Sequence, residues 1–101
     1  MWMLAMFDLP VVTPQDRRRY TRFRKSLLAV GFMKMQYSVY ARYCENRESV
    51  RTILRNVKKA VPPQGQVRVI SITDKQFSDM KIYDNAEPKK PEQQPEQMLL
   101  L

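Results

Sequence analysis

Residues 32–43, Phe32-Met33-Lys34-Met35-Gln36-Tyr37-Ser38-Val39-Tyr40-Ala41-Arg42-Tyr43, decide how this chain folds. The stretch is rich in aromatic and β-branched residues, as strands are. It is long for one strand and holds no Gly, Pro or Asn to mark a turn, so residue rules leave open whether it forms one element or two. Its surroundings read more simply. Met1 to Phe7 (MWMLAMF) is apolar on both alternating faces and is ended by Asp8-Leu9-Pro10, which predicts a strand covered on each side. Thr13-Pro14-Gln15-Asp16 supplies a capping hydroxyl, a proline at the first helical position and a carboxylate three residues after the cap. A helix over residues 14–30 follows, with Tyr20, Phe23, Leu27 and Val30 as its apolar stripe and Gly31 as a left-handed stop.

Beyond the ambiguous stretch, Asn46 is a cap, and Val50, Ile53, Leu54 and Val57 recur at helical spacing before Pro62-Pro63 forbids continuation. Gln66 to Ile72 reads as another strand, closed by a turn at Thr73-Asp74. A short helical turn fits around Gln76 to Met80, and a brief last strand fits Lys81-Ile82-Tyr83. If residues 32–43 form two strands, the order is strand, helix, strand, strand, helix, strand. That is the split βαβ, ferredoxin-like pattern of an α+β sandwich, here with an additional short C-terminal strand. Both helices would lie on one sheet face, and the bare face of so short a chain predicts cover by a second copy in a symmetric homodimer. The folded domain is expected over residues 1–83. Residues 84–101 read as a flexible Pro-, Gln- and Glu-rich tail. Its apolar end, Met98, Leu99, Leu100 and Leu101, can serve as a partner-docking peptide or be a frayed terminus.

Composition narrows the chemistry. The 101 residues contain no His, which removes triads, Cys-His pairs and imidazole metal ligands. The only glycines, Gly31 and Gly65, stand alone, so no phosphate-cradling loop or dinucleotide fingerprint can be built. One cysteine, Cys44, cannot form an internal disulfide and suits a reducing compartment. The longest apolar run, Met1 to Phe7, is far shorter than the roughly 18 residues of a membrane span and lacks signal-peptide flanks. A cytoplasmic protein with no membrane contact is expected.

The net charge is +8, and residues 17–25 read RRRYTRFRK, six basic residues in nine. On a helix, Arg18, Arg22 and Lys25 fall opposite the apolar stripe, Arg17 and Arg24 share one flank, and Arg19 takes the other. Like charges packed this densely cost helix stability unless a polyanion neutralises them. The plainer alternative is a solvated face, but no acidic counterweight stands nearby. All ten arginines lie between Arg17 and Arg68, and guanidinium forks suit phosphate. Nothing resembles a helix arranged to read base edges or the aromatic sheet motif of single-strand RNA binders, so binding should be backbone-directed and largely sequence-independent. Tyr37 and Tyr40 could stack bases, although aromatics in an alternating strand are more often core, and the core reading is preferred.

Asp8, where an apolar strand runs out into a loop, is the strongest metal candidate. A Mg²⁺ ion takes oxygen ligands and keeps several waters, so one carboxylate per chain would suffice if a dimer axis joined two. On composition alone, a turn-forming Asp before Leu9-Pro10 is the plainer reading.

Met6-Phe7-Asp8-Leu9-Pro10, the basic helix with Tyr20, Phe23, Arg24 and Lys25, then Gly31-Phe32 and Gln36-Tyr37-Ser38-Val39-Tyr40, resemble the small CRISPR adaptation protein family Cas2. Ile72-Thr73-Asp74-Lys75-Gln76-Phe77 is similar to another segment of that family, and the likeness spans about residues 1–83. The spelling MFDLP looks most like members from type II systems.

The resemblance implies a ferredoxin-like homodimer whose middle segment divides near Gln36 and Tyr37, with the strand near Lys81 to Tyr83 pairing with the partner's sheet. It implies a scaffold for spacer acquisition that bridges two dimers of the larger adaptation integrase, Cas1, with double-stranded DNA across the basic surface. It also implies a Mg²⁺-dependent endonuclease on RNA or DNA, with Asp8 as the metal ligand and catalytic residue. Positions tied to that activity map onto Phe7, Arg17, Arg19, Lys34 and Tyr40. Lys34 replaces an arginine found in some relatives, which keeps the charge and loses the fork. The nucleic-acid-binding set is therefore Arg17, Arg18, Arg19, Arg22, Arg24, Lys25 and Lys34, with Tyr40 as a base or phosphate contact. The scaffold is the favoured function, because one carboxylate without a general base makes a weak phosphodiesterase site. The nuclease is the alternative, and a toxin-like endoribonuclease of similar fold comes third.

Overall fold

The structure, a computed structural model, describes residues 1–95. In chain order it contains β1 (Trp2–Asp8), α1 (Pro14–Ala29), β2 (Met33–Gln36), β3 (Val39–Tyr43), α2 (Arg47–Ala60), β4 (Gln66–Ile72), α3 (Asp74–Ser78), β5 (Ile82–Asp84) and β6 (Glu87–Lys89). Strands β2-β3-β1-β4 form one antiparallel sheet, which is the ferredoxin-like arrangement of an α+β protein.

The middle segment is two strands. Gln36 pairs with Val39, so Tyr37 and Ser38 make a two-residue connection, and Ser38 takes the left-handed turn at φ 61°. The turn carries no Gly or Asn because tertiary contacts hold it. Phe7 N–H donates to the Ser38 carbonyl at 3.0 Å, and the Tyr20 and Ser38 hydroxyls lie 3.0 Å apart.

Capping sets the helix starts. Thr13 Oγ1 accepts from Asp16 N–H at 3.0 Å while Asp16 accepts from Thr13 N–H at 3.1 Å, a reciprocal box with Pro14 behind the cap. Asn46 Oδ1 accepts from Ser49 N–H at 2.8 Å at the start of α2. Thr73, read above as part of a strand-closing turn, instead caps α3 through a box with Gln76, so that helix begins at Asp74 and ends at Ser78.

Strand alternation divides β1 between two clusters. Met3, Ala5 and Phe7 join Phe23 and Leu27 of α1, Tyr40 of β3, and Ile53 and Val57 of α2 in the main core. Trp2 and Leu4 face the other way, among Met35, Ala41, Tyr43, Ile72 and Phe77. Phe77 of α3 stacks on Trp2 with centroids 4.0 Å apart and planes 7° from parallel. Leu54 belongs to the predicted stripe of α2, yet it is 45% exposed because the helix meets the sheet through Ile53 and Val57. The face opposite α1 and α2 is only partly covered, and Ile70 and Met33 remain exposed.

The chain continues in ordered strand beyond Tyr83. β5 and β6 form a hairpin through Asn85 and Ala86, both at positive φ (53° and 67°), the backbone of a tight two-residue hairpin turn. Regular structure thus reaches Lys89, inside the stretch whose composition predicts a tail. The resemblance implies that β5 pairs with a partner's sheet; within the chain its strand partner is β6. Glu92, Gln93 and Pro95 border an apolar groove of about 320 Å³ with Trp2, Met33, Ala41 and Tyr43. Met98 to Leu101, proposed for docking, lie outside the described residues.

Candidate nucleic-acid interface

α1 presents the basic face as its periodicity requires. Phe23 and Leu27 are buried in the core, and Arg17, Arg18, Arg22 and Lys25 are exposed on the outer side, with Arg19 and Arg24 half-buried on the flanks. None of them enters an ion pair among the described residues. The one acid of the helix, Asp16, is engaged at the cap. The Thr13 backbone N–H chiefly holds its carboxyl below the usual carboxylate range, and Arg19 adds to the effect.

Two hollows follow from this placement. One runs along the outer face, lined by Arg17, Arg18, Thr21, Arg22 and Lys25. The other, of about 530 Å³, lies where α1 and α2 meet, and there Arg19 and Arg22 are joined by Lys59 and Asn56. Lys59 is absent from the sequence-derived set. The signal that could have found it is the βαββαβ order itself, which lays two helices side by side on one sheet face.

The arginines differ in freedom. Arg17 donates to the carbonyls of Val11 and Val12 at 3.3 and 2.9 Å and ties the loop ahead of the helix. Arg18 and Arg22 are outward. Lys34 is exposed on β2, an edge strand, opposite Tyr40, so it belongs to a different element from the α1 cluster.

Asp8 ends β1 opposite Gln66 and is exposed. It enters no ion pair among the described residues. The close approach of Gly65 fixes its backbone, since a Cβ there would stand 2.7 Å from the Asp8 carbonyl oxygen. Among the described residues no group of three or more Cys, Asp or Glu side chains could hold a metal. The donor set is thus one exposed, hard oxygen ligand per chain. That matches an ion which keeps most of its waters, and does not match one that needs a closed protein cage.

An aromatic cluster links the end of β1 to the basic helix. Phe7 packs against Tyr20 at 5.7 Å, Phe23 at 5.1 Å and Tyr40 at 5.6 Å between centroids. Tyr40 is 1% exposed, so the core reading holds and a direct contact with base or phosphate does not: its ring is enclosed beneath α1. Tyr37 departs from the preferred core reading. It sits in the β2–β3 turn, 72% exposed, with its ring roughly parallel to that of Tyr20 at 6.0 Å. Tyr20, through its hydroxyl, holds the Tyr37 phenol above its usual pKa.

Residues 1–80 match the family described as CRISPR associated protein Cas2. The chain is 46% identical over 100 residues to the CRISPR-associated endoribonuclease Cas2 of Parvibaculum lavamentivorans, covering 99% of each chain. It is 48% identical over 77 residues to the protein of the same name from Paracidovorax avenae, covering 76% of this chain and 71% of that one. The crystal structure of Streptococcus pyogenes Cas2 at pH 6.5 shares the fold with a TM-score of 0.56 at 22% identity, over 72% of this chain and 87% of the other. Among the described residues no helix is long and apolar enough to cross a membrane. With the motifs of β1, α1 and the β2–β3 hairpin standing in one ferredoxin-like fold, the chain belongs to the CRISPR-associated Cas2 family.

Proposed function

We propose that the protein acts in CRISPR defence as a homodimer that grips nucleic acid by its phosphates and cleaves RNA at a Mg²⁺ ion held by Asp8. The observation that carries this reading is the exposed carboxylate of Asp8 at the end of β1, the residue after Phe7, whose ring packs on Tyr20 of the arginine-bearing helix from the opposite sheet face. The names of the relatives support it, since both proteins cited above are called endoribonucleases. The partly open sheet face, with Leu4, Met6 and Ile70 along β1 and β4, is where a second copy would pack. Asp8 has the strand parity of Leu4 and Met6 and so lies on that side of the sheet.

Arg18, Arg22 and Lys25 would hold and orient the phosphates, and Asp8 from each copy would hold the metal. When bound, such an ion stabilises charge on phosphoryl oxygens. With no His in the chain, the protein itself offers no imidazole to move a proton.

A second reading is favoured by the single carboxylate per chain and by the width of the basic face. In it the dimer is a double-stranded DNA scaffold for spacer acquisition, bridging two dimers of the larger integrase Cas1, and the chemistry belongs to that partner. One gel titration separates the two. Labelled single-stranded RNA and duplex DNA are incubated with wild type and Asp8→Asn, with Mg²⁺ or a chelator. Metal-dependent RNA cutting that disappears in Asp8→Asn supports the nuclease. Duplex retention without cutting, indifferent to Asp8, overturns it in favour of the scaffold.

A further inference from the structure

The β2–β3 turn is built against local preference. A two-residue hairpin connection favours Asn or Gly where φ is positive, because a β-carbon is crowded there. This chain places Ser38 in that conformation at φ 61° and puts a large aromatic, Tyr37, beside it at 72% exposure. Backbone in such a region persists only where its surroundings over-determine it, and such sites cluster where a side chain must be aimed. Two contacts supply the constraint here: Phe7 N–H to the Ser38 carbonyl at 3.0 Å and the Tyr20 to Ser38 hydroxyl pair at 3.0 Å. Together they fix the turn to β1, one residue ahead of Asp8, and to α1.

What the turn presents is a ring. Tyr37 lies over Tyr20 with planes 21° apart and centroids at 6.0 Å, which sets its orientation while most of its surface stays in water. Tyr20 sits on α1 three residues after Arg17 and four before Arg24, spacings that place both guanidinium-bearing side chains next to it on the helix surface. An oriented aromatic face beside cations is the arrangement that binds a single strand, with the base on the ring and the backbone on the charges. A duplex keeps its bases stacked inside and offers no free face to such a ring.

We infer that Tyr37 is a stacking platform for an unpaired base of single-stranded RNA, held by Tyr20 and Ser38 at the end of β1 that carries Asp8, and that it sets the preference for single strands over duplex. The inference rests on the RNA-binding reading proposed above. It adds a specificity residue that touches the base, where the arginines touch only phosphate.

The test is fluorescence anisotropy with a labelled single-stranded RNA, the same strand with abasic positions, and a duplex. A chelator is present throughout so that nothing is cut. Wild type, Tyr37→Ala and Tyr37→Phe are compared. Wild type should bind the base-bearing strand more tightly than the abasic one. Tyr37→Ala should weaken the base-bearing strand about five- to 150-fold, down to the abasic level. Tyr37→Phe, which keeps the ring, should restore binding. The slope of affinity against salt should stay the same in all three, since no phosphate contact is removed, and duplex affinity should not move. Equal binding of the base-bearing strand by wild type and Tyr37→Ala overturns the inference while leaving RNA binding intact. A wild type that binds no RNA at any salt concentration overturns the RNA-binding reading and this inference together.

Discussion

Arg42 of β3 donates from Nε to the carbonyl of Val30 at 2.7 Å, so the C-terminal end of α1 is closed by a cation from a neighbouring strand. The last turn of α1 contains no basic residue of its own, and the carbonyls at that end carry partial negative charge. The same guanidinium donates to the Tyr43 carbonyl at 2.8 Å. Gly31, at φ +94°, completes the arrangement, because a Cβ there would stand 2.8 Å from Arg42 Nε. Arg42→Ala should therefore cost about 1–3 kcal/mol in urea unfolding, with Arg42→Lys recovering only part of it. Gly31→Ala should also destabilise, and the double variant should lose less than the sum of the singles, since removing Arg42 removes one of the two obstacles to a side chain at position 31.

Gly65→Ala should damage the candidate metal site without touching its carboxylate. The added carbon would meet the Asp8 carbonyl at 2.7 Å and Leu9 Cδ2 at 2.8 Å, on a backbone at φ +88°. Relief requires β1 to shift at its end. A stability loss of about 1–3 kcal/mol is expected, and any Asp8-dependent cleavage should fall by more than the unfolded fraction explains. Thermal melts and the RNA assay run on one preparation check both.

The α1 cap makes stability depend on acid. The Asp16 carboxyl is held below its usual value of 3.8, first by the Thr13 backbone N–H. A depressed folded pKa means that the carboxylate stabilises the fold fully above the unfolded value and ceases to do so as pH falls through the folded one. Asp16→Asn should therefore flatten the loss of stability as pH falls through and below the usual carboxylate value. Thr13→Ala should cost about 1 kcal/mol at neutral pH. Denaturation midpoints across that range read both effects. An Asp16→Asn curve parallel to wild type would contradict the assignment.

Arg18→Ala and Arg22→Ala should weaken nucleic-acid binding to a similar degree on any sequence and reduce the salt slope by about one per lost phosphate contact. Arg17→Ala should differ from them in kind. Its guanidinium already holds the Val11 and Val12 carbonyls, so its removal should also lower the melting temperature. Unchanged slopes for Arg18 and Arg22 would take the phosphate track off both hollows of α1, since Arg22 lines each of them.

The particular elements explain what the residues alone could reveal. α1 runs from Pro14 to Ala29, within one residue of its reading, because its cap is spelled out in neighbouring residues. The β2–β3 turn was illegible because its support is remote: Tyr20 is 18 positions from Ser38, and Phe7 is on another strand. The β5–β6 hairpin was hidden by Ala86, which occupies a positive-φ position where Gly is the usual signal. Tyr37 and Tyr40 share one aromatic stretch and both are expected in the core, yet the turn takes Tyr37 out of the strand, leaving one ring buried and the other in solvent. The outward side of the basic helix was readable from 100° per residue. Lys59 was not, since it approaches that helix only through tertiary packing.

The half-covered sheet face has a further consequence for how the protein behaves in a tube. With Ile70 47% exposed and Met33 38% exposed, the isolated chain leaves apolar surface wet that the proposed pairing would dry. Association then enters the folding equilibrium by mass action, so dilution acts as a denaturant and the melting temperature should climb with protein concentration. Stability values for single variants therefore compare only at matched concentration, and a substitution such as Ile70→Ser would register as a loss of that concentration dependence before it registered as a loss of fold.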